Sequence, residues 1–315
     1  MAERRSILAY EPSQVGNLVT GILYAIEGIV FLYYTIRHRN KWAICLPIGA
    51  ICSSIGFFMR LTLDPDNFKL VPYIAQQAFV VISPCAFLAF NYMLYGRLIV
   101  AVDPQFGLDK SGSKMEKSRF SIIPPRIVGR TFVWSDAITF FIQLSAGGMQ
   151  AAGGNSNPSL ANMGNKLFLV AVSVQGASYC LFTVLLSVTL LRLIAYRRRT
   201  QSIQDRGGCM GIDRSTATIV AGLYFSSLFI IVRSIYRIVE FNEGYQGYLI
   251  THELYLFILD AIPLVIAIGI WAIVWPTVLL DRIASNVRLD SQGYAMGGSH
   301  NRVQSTESID RSRLV

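Results

Sequence analysis

Seven stretches of roughly 20 residues or more are apolar almost throughout, and each is long enough to cross a hydrocarbon layer about 30 Å thick. They lie near 14–36, 42–61, 73–100, 131–151, 167–194, 215–240 and 253–280. In lipid the backbone has no water to bond, so its N–H and C=O groups must pair within the segment or around a closed barrel. Segments this long mean helices. The fold class is therefore all-α: a polytopic membrane protein built as a bundle of seven transmembrane helices. Its parts are a tail over 1–13, the helical domain over 14–280 and a second tail over 281–315. A content of 53% hydrophobic and 15% charged residues, gathered in blocks, excludes an ordinary soluble domain.

Charge sets the orientation. Segments 37–41, 102–130, 195–214 and 281–315 hold 19 of the 28 Lys and Arg, while 1–13, 62–70, 152–166 and 241–251 hold 4. Basic loops stay in the cytosol, so the N-terminus is expected outside and the C-terminus inside. The net charge of +9 belongs to this alternation, and nucleic acid is not an expected partner. The first 13 residues are polar and the first apolar window exceeds a signal-peptide core, so helix one is expected to act as its own insertion signal. The tail after Leu280 has scattered charge, Gly and Ser without a helical period, and is expected to be disordered and cytosolic.

Four of the five cysteines lie in apolar windows and the fifth, Cys209, in a basic loop, without disulfide-framework or zinc-ligand spacing. Small residues recur four apart at Gly49/Ser53, Gly147/Ala151, Gly148/Ala152 and Ser173/Ala177. Such faces suit close helix packing within the bundle, and secondly a homodimer. Pro47, Pro84, Pro263 and Pro276 fall inside the windows, where kinks are expected.

Ionisable and polar residues within the windows are the candidate site, because lipid penalises each of them. Arg60 ends helix two on the outer side. Arg233, Arg237 and Glu240 share a face of helix six, and Glu253 and Asp260 a face of helix seven. A short connection makes these helices antiparallel neighbours, so the two faces are expected to meet and their charges to pair. Glu27, near the middle of helix one, stands alone. Asp136 and Gln143 share a face of helix four, with Gln76, Gln77 and Asn91 on helix three and Gln175 on helix five. Together they are expected to line a polar pocket opening toward the outside.

Missing residues exclude one other seven-helix class and argue against two more. A retinal protein needs a lysine in the last helix, and no helix interior has one. A zinc hydrolase needs converging histidines, yet only His38, His252 and His300 exist. The third helix ends in "YGRLIVAVDP" and the seventh lacks Asn-Pro-x-x-Tyr, unlike a G-protein-coupled receptor.

The motifs "YEPSQVGNL", "IGFFMR", "SPCAFLAFNYMLYGRLI", "FVWSDAITFFIQLSAGGMQA" and "RSIYRIVEFNEGYQGYLITHELYLFILDAIP" stand in this order from about residue 10 to residue 280. In them the chain resembles the RTA-like (resistance to aminocholesterol) family of fungal lipid-translocating exporters. The resemblance implies a stress-related membrane protein without an ATPase domain, whose relatives handle sphingoid bases, sterol-like toxins and porphyrins. The matching motif positions are Arg60, Asp136, Gln143, Arg233, Arg237, Glu240, Glu253 and Asp260. Ser53 stands where the family tends to have an acid, and Glu27 is a candidate substitute for that charge.

These readings converge on a plasma-membrane protein that binds and moves an amphiphile between leaflets. The alternative is a seven-helix sensor that signals through its basic loops and tail. Membrane lipids and an amphiphilic small molecule are the expected partners. No nucleophile–base–metal set can be assembled, so no enzyme is expected. No resident cofactor is implied, with porphyrin or haem entering only as a ligand. A cationic head would seek Asp260 or Glu27, an anionic one Arg233, Arg237 or Arg60.

Overall fold

The computed structural model describes residues 13–63, 70–103, 121, 124–153, 157–203, 214–243 and 253–287. Within them the chain is helical, with no strand. In order stand α1 (Gln14–Arg37), a 3-10 turn (Lys41–Ile44), α2 (Cys45–Leu61), α3 (Leu70–Val102), α4 (Pro125–Gly153), α5 (Pro158–Ile203), α6 (Arg214–Glu243) and α7 (Glu253–Ile273), then α8 over 276–287. Six helices are long and apolar enough to cross a membrane. The exception among the seven long ones is α4, whose 29 residues suffice in length but include Arg126, Arg130 and Asp136.

The helices are built inside out relative to a soluble bundle. On α1 the residues turned inward are Asn17, Thr20, Gly21, Tyr24, Gly28, Phe31 and Thr35, small, polar or aromatic at spacings of three and four. Its aliphatic residues, such as Ile22, Ile26, Ile29 and Ile36, face out. Lipid tails are as apolar as a protein core, so aliphatic side chains gain little by turning inward. Small residues let backbones approach, and they take the interfaces instead. Gly49 shows this, because a Cβ there would come within 2.6 Å of the Phe87 ring on α3. Gly148 differs: nothing lies within 4 Å of its Cβ position, and its neighbour in the motif, Ala152, is exposed.

Each helix packs on the next in sequence, and α7 returns to α1, closing a ring that α3 braces by touching α5 and α6. The centre is aromatic. Tyr92 meets Phe182 edge-on at 4.7 Å and Phe132 at 5.2 Å, and Phe90 meets Trp271 at 5.6 Å.

The last expected window, 253–280, is not one helix. Residues Phe257–Ala261 form a π turn, in which the Ile262 N–H reaches back five residues to the Phe257 carbonyl. Pro263, which has no N–H to give, follows directly at the start of the regular helix. The helix then stops at Ile273. Val274 has φ −116° and ψ 85°, and Pro276 opens α8, because a proline ring clashes with a helical turn before it. That helix continues through residue 287, past the boundary expected at 280, with Leu280 and Ile283 buried. Residues 1–12 and 288–315, the expected tails, lie outside the described residues except for this extension. Of the four expected kinking prolines Pro84 lies within α3 and Pro263 within α7, just after its π turn; Pro47 falls in the first turn of α2, where no N–H is needed.

Candidate functional site

The charges of α6 and α7 meet in the bundle interior. Arg237 lies one turn beyond Arg233 on α6, so both guanidinium groups reach across to α7, where the π turn carries Asp260. Arg237 donates from Nε to Asp260 Oδ1 at 2.8 Å and from Nη2 to Oδ2 at 2.5 Å. Its Nη1 donates to Glu240 Oε2 at 3.0 Å, and the Tyr236 hydroxyl donates to Glu240 Oε1 at 3.3 Å. Arg233 Nε stands 2.8 Å from Asp260 Oδ1 but is not aimed to hydrogen-bond it. Two cations thus face two carboxylates, all largely withdrawn from solvent, and the cluster is neutral. Planar guanidinium groups satisfy carboxylates in pairs, which is how such groups persist in a low dielectric.

Glu253 does not join them. It accepts the Ser13 N–H at 2.5 Å and Asn17 Nδ2 at 3.1 Å, and lies 3.5 Å from Arg60 Nε, tying the starts of α1 and α7 to the end of α2. The π turn explains the division. Its extra residue per turn changes the helical phase between 253 and 260, so the two acids no longer share one face. Tyr24 adds a further tie, donating its hydroxyl to the Ala261 carbonyl at 3.1 Å.

The remaining candidates separate. Gln143 Nε2 donates to Gln175 Oε1 at 2.9 Å, and Gln175 Nε2 to Cys85 Sγ at 3.2 Å. Gln143 and Gln175 line a cavity of about 20 Å³ with Arg233 and Arg237, large enough for one water molecule. Gln76 is buried on α3 with Nε2 unpartnered. Glu27 packs beside Gly269 of α7, its Oε2 buried without a hydrogen bond. Asp136 is 2% exposed, and neither of its carboxylate oxygens has a hydrogen-bond partner. Asn91, Tyr179, Ser226 and Ser227 form a separate network through the middle, with Asn91 Nδ2 2.9 Å from the Tyr179 hydroxyl and 3.1 Å from Ser226 Oγ.

The large cavity is not where the sequence placed a pocket. It measures about 700 Å³ and lies at the end of the bundle that carries the basic segments 37–41 and 102–130. Its walls include Trp42, Met93, Val133, Trp134 and Leu280, with Tyr92 deeper in and Arg97, Arg130 and Asp281 among the lining. Arg97 lies over the Trp42 ring at 4.9 Å, a cation–π contact that leaves its N–H groups available. Among the described residues neither Arg97 nor Arg130 forms an ion pair. Break and proline together shape this space: α8 lines it with Thr277, Leu280, Ala284 and Val287 because the chain turns at Val274–Pro276. Arg97 carried a signal in sequence as an arginine inside an apolar window, and Tyr92, Met93, Val133 and Trp134 fall within the quoted motifs.

A family model described as "RTA1 like protein" matches residues 46–283, from the start of α2 into α8. The chain belongs to the RTA1-like family. This RTA1-like chain is 28% identical over 220 residues to protoporphyrin uptake protein 1 of Saccharomyces cerevisiae, covering 70% of its own length and 64% of that relative's. It is 24% identical over 299 residues to protein RTA1 of the same yeast, covering 87% and 86%. With the yeast sphingoid long-chain base transporter RSB1 it shares 29% over 279 residues, covering 79% and 67%. No solved structure matches the RTA1-like chain. Its helices and its membrane-protein relatives make it a multi-pass integral membrane protein.

Proposed function

We propose that this chain spans the plasma membrane seven times, with α4 as the fourth span, the N-terminus outside and the C-terminus in the cytosol. In that frame it takes an amphiphile from the cytosolic leaflet and transfers it toward the outer one. The observation that carries this reading is the cavity of about 700 Å³ at the basic-loop end. Its volume suits a small lipid-like molecule. Tryptophan and aliphatic walls suit a tail or ring system, and two arginines without ion pairs among the described residues suit a polar head. The names of two relatives, an uptake protein for protoporphyrin and a transporter of sphingoid bases, support the ligand class. The neutral α6–α7 cluster is read as the tie that holds the outer half together, rather than as the ligand's charge partner, because Asp260 is already occupied by two arginines.

The test is leaflet exchange and binding, measured together in liposomes holding the purified protein, with fluorescent sphingoid base and with protoporphyrin. Exchange is expected for the natural chain, with Arg97→Gln and Arg130→Gln each weakening binding of the anionic porphyrin about tenfold, the value of one lost contact of ~1.4 kcal/mol. Binding without exchange would move the protein to the sensor class. Neither binding nor exchange would remove the amphiphile reading.

A further inference from the structure

Among the described residues Asp136 is the one buried side chain with two unpartnered polar atoms. Its carboxylate is buried, and both oxygens lack a hydrogen-bond partner. On its own helix the Thr139 hydroxyl donates to the Asp136 backbone carbonyl, not to the side chain. From α3 it is faced by Tyr92 and by Cys85, whose Sγ lies 4.0 Å from the Asp136 carbonyl oxygen, and from α5 by Tyr179. Tyrosine and cysteine are neutral near pH 7, and no Lys or Arg among the described residues pairs with the carboxylate. The Tyr92 hydroxyl stands beside the carboxylate, yet it too has no hydrogen bond of good geometry. Tyr92 is at the same time part of the wall of the 700 Å³ cavity.

An ionised carboxylate with neither donor nor counter-ion is not stable in such surroundings. Either a proton or a cationic ligand must neutralise it. A ligand head has no way in from the cavity, because the Tyr92 ring is fully buried, wedged between Phe132 and Phe182. A proton needs no such room. A hydroxyl between two proton acceptors can pass one on by giving up its own hydrogen as it receives another.

We propose that Asp136 is a proton-binding site, loaded in this conformation and connected to the cavity at the basic-loop end through the Tyr92 hydroxyl. The Tyr92 hydroxyl is itself buried in this conformation, so release waits on a turn of the Tyr92 ring that brings Oη to the cavity. The proton then moves from the Asp136 carboxyl to Tyr92 Oη while the Tyr92 hydroxyl hydrogen passes to a water there. One hydronium forms, one carboxylate remains and Tyr92 is restored. No other bond changes. The carboxylate left behind then lacks the donors it needs here, so release favours a different packing of α4 against α3 and α5. A proton gradient would thereby act on the conformation of the bundle. This goes beyond the transport reading, and its test does not depend on it.

The test is infrared spectroscopy of the purified full chain in lipid at neutral pH, which reads the C=O stretch of a protonated carboxyl directly. The natural chain is expected to show such a band, and Asp136→Asn to lose the Asp136 share of it. Glu27→Gln serves as the control for the other unpartnered acid and should leave that share in place. Tyr92→Phe should keep the band but slow its shift in deuterated buffer, roughly a hundredfold for a lost relay. A band untouched by Asp136→Asn overturns the proposal. So does failure of Asp136→Asn to fold, because asparagine matches a protonated carboxyl and would be tolerated at a loaded site. Unchanged deuteration in Tyr92→Phe overturns the route. Should the liposomes move no amphiphile, the transport reading fails while the band still decides the proton site.

Discussion

Arg237 grips Asp260 with two parallel hydrogen bonds, Nε to Oδ1 at 2.8 Å and Nη2 to Oδ2 at 2.5 Å, across the α6–α7 interface. The same carboxylate faces Arg233 at 2.8 Å, so one buried acid compensates parts of two guanidinium groups.

Asp260→Asn is therefore expected to be severe. It leaves Arg233 without an acidic partner and Arg237 with Glu240 alone, inside the bundle. Breaking a buried pair by removing one partner costs about 3–5 kcal/mol. Thermal unfolding in lipid nanodiscs should show a large fall in midpoint. A change under about 1 kcal/mol, the range of exposed pairs, would mean that water reaches the cluster freely.

Two glycines on neighbouring helices should respond oppositely to alanine. At Gly164 a Cβ would stand 2.8 Å from the Ala146 carbonyl oxygen and 2.9 Å from the Gln150 backbone nitrogen, atoms of α4 that cannot swing aside. Overpacking of this kind costs about 1–3 kcal/mol, so Gly164→Ala should lower the unfolding midpoint. At Gly148 there is open space. There alanine should be neutral or stabilising by up to about 1 kcal/mol through helix propensity. Equal behaviour of the two variants would contradict the α4–α5 packing.

Glu27 is a half-buried acid whose Oε2 is withdrawn from solvent without a partner, and its Oε1 would lie 3.1 Å from a Cβ at Gly269. Glu27→Gln keeps the shape and removes the capacity to ionise. Stability is expected to hold or rise, since nothing among the described residues compensates a charge there. A loss greater than about 2 kcal/mol on chemical unfolding would show that the charged form is used. Gly269→Ala should be the harsher change, because it pushes the carboxyl out of its place.

That Glu27 stands in for an acid at position 53 stays a proposal. Ser53 is buried on α2, whereas Glu27 packs against α7 at Gly269. Tyr24 lies beside both residues. The polar pocket expected at the outer side is likewise reduced to a cavity of about 20 Å³ among Gln143, Gln175 and the two arginines. The spacious cavity lies at the opposite end.

The sequence by itself determined that the chain is helical and membrane-embedded, because lipid offers the backbone no partner and a long apolar run has few other ways to satisfy itself. It also determined that Arg233, Arg237 and Asp260 would meet. Spacings of four along one helix and a short connection to the next leave charged faces no better neighbour than each other. Only the tertiary structure decided which acid pairs with which base. A single π turn at Phe257–Ala261 rotated Asp260 toward α6 and left Glu253 with Arg60. It decided equally that Asp136 is alone and that α8, turned at Pro276, closes a cavity with α3 and α4. Run length and face periodicity are properties of one helix. Partners, isolation and empty space are properties of how helices are set against one another, and they depend on breaks and phase shifts of a single residue.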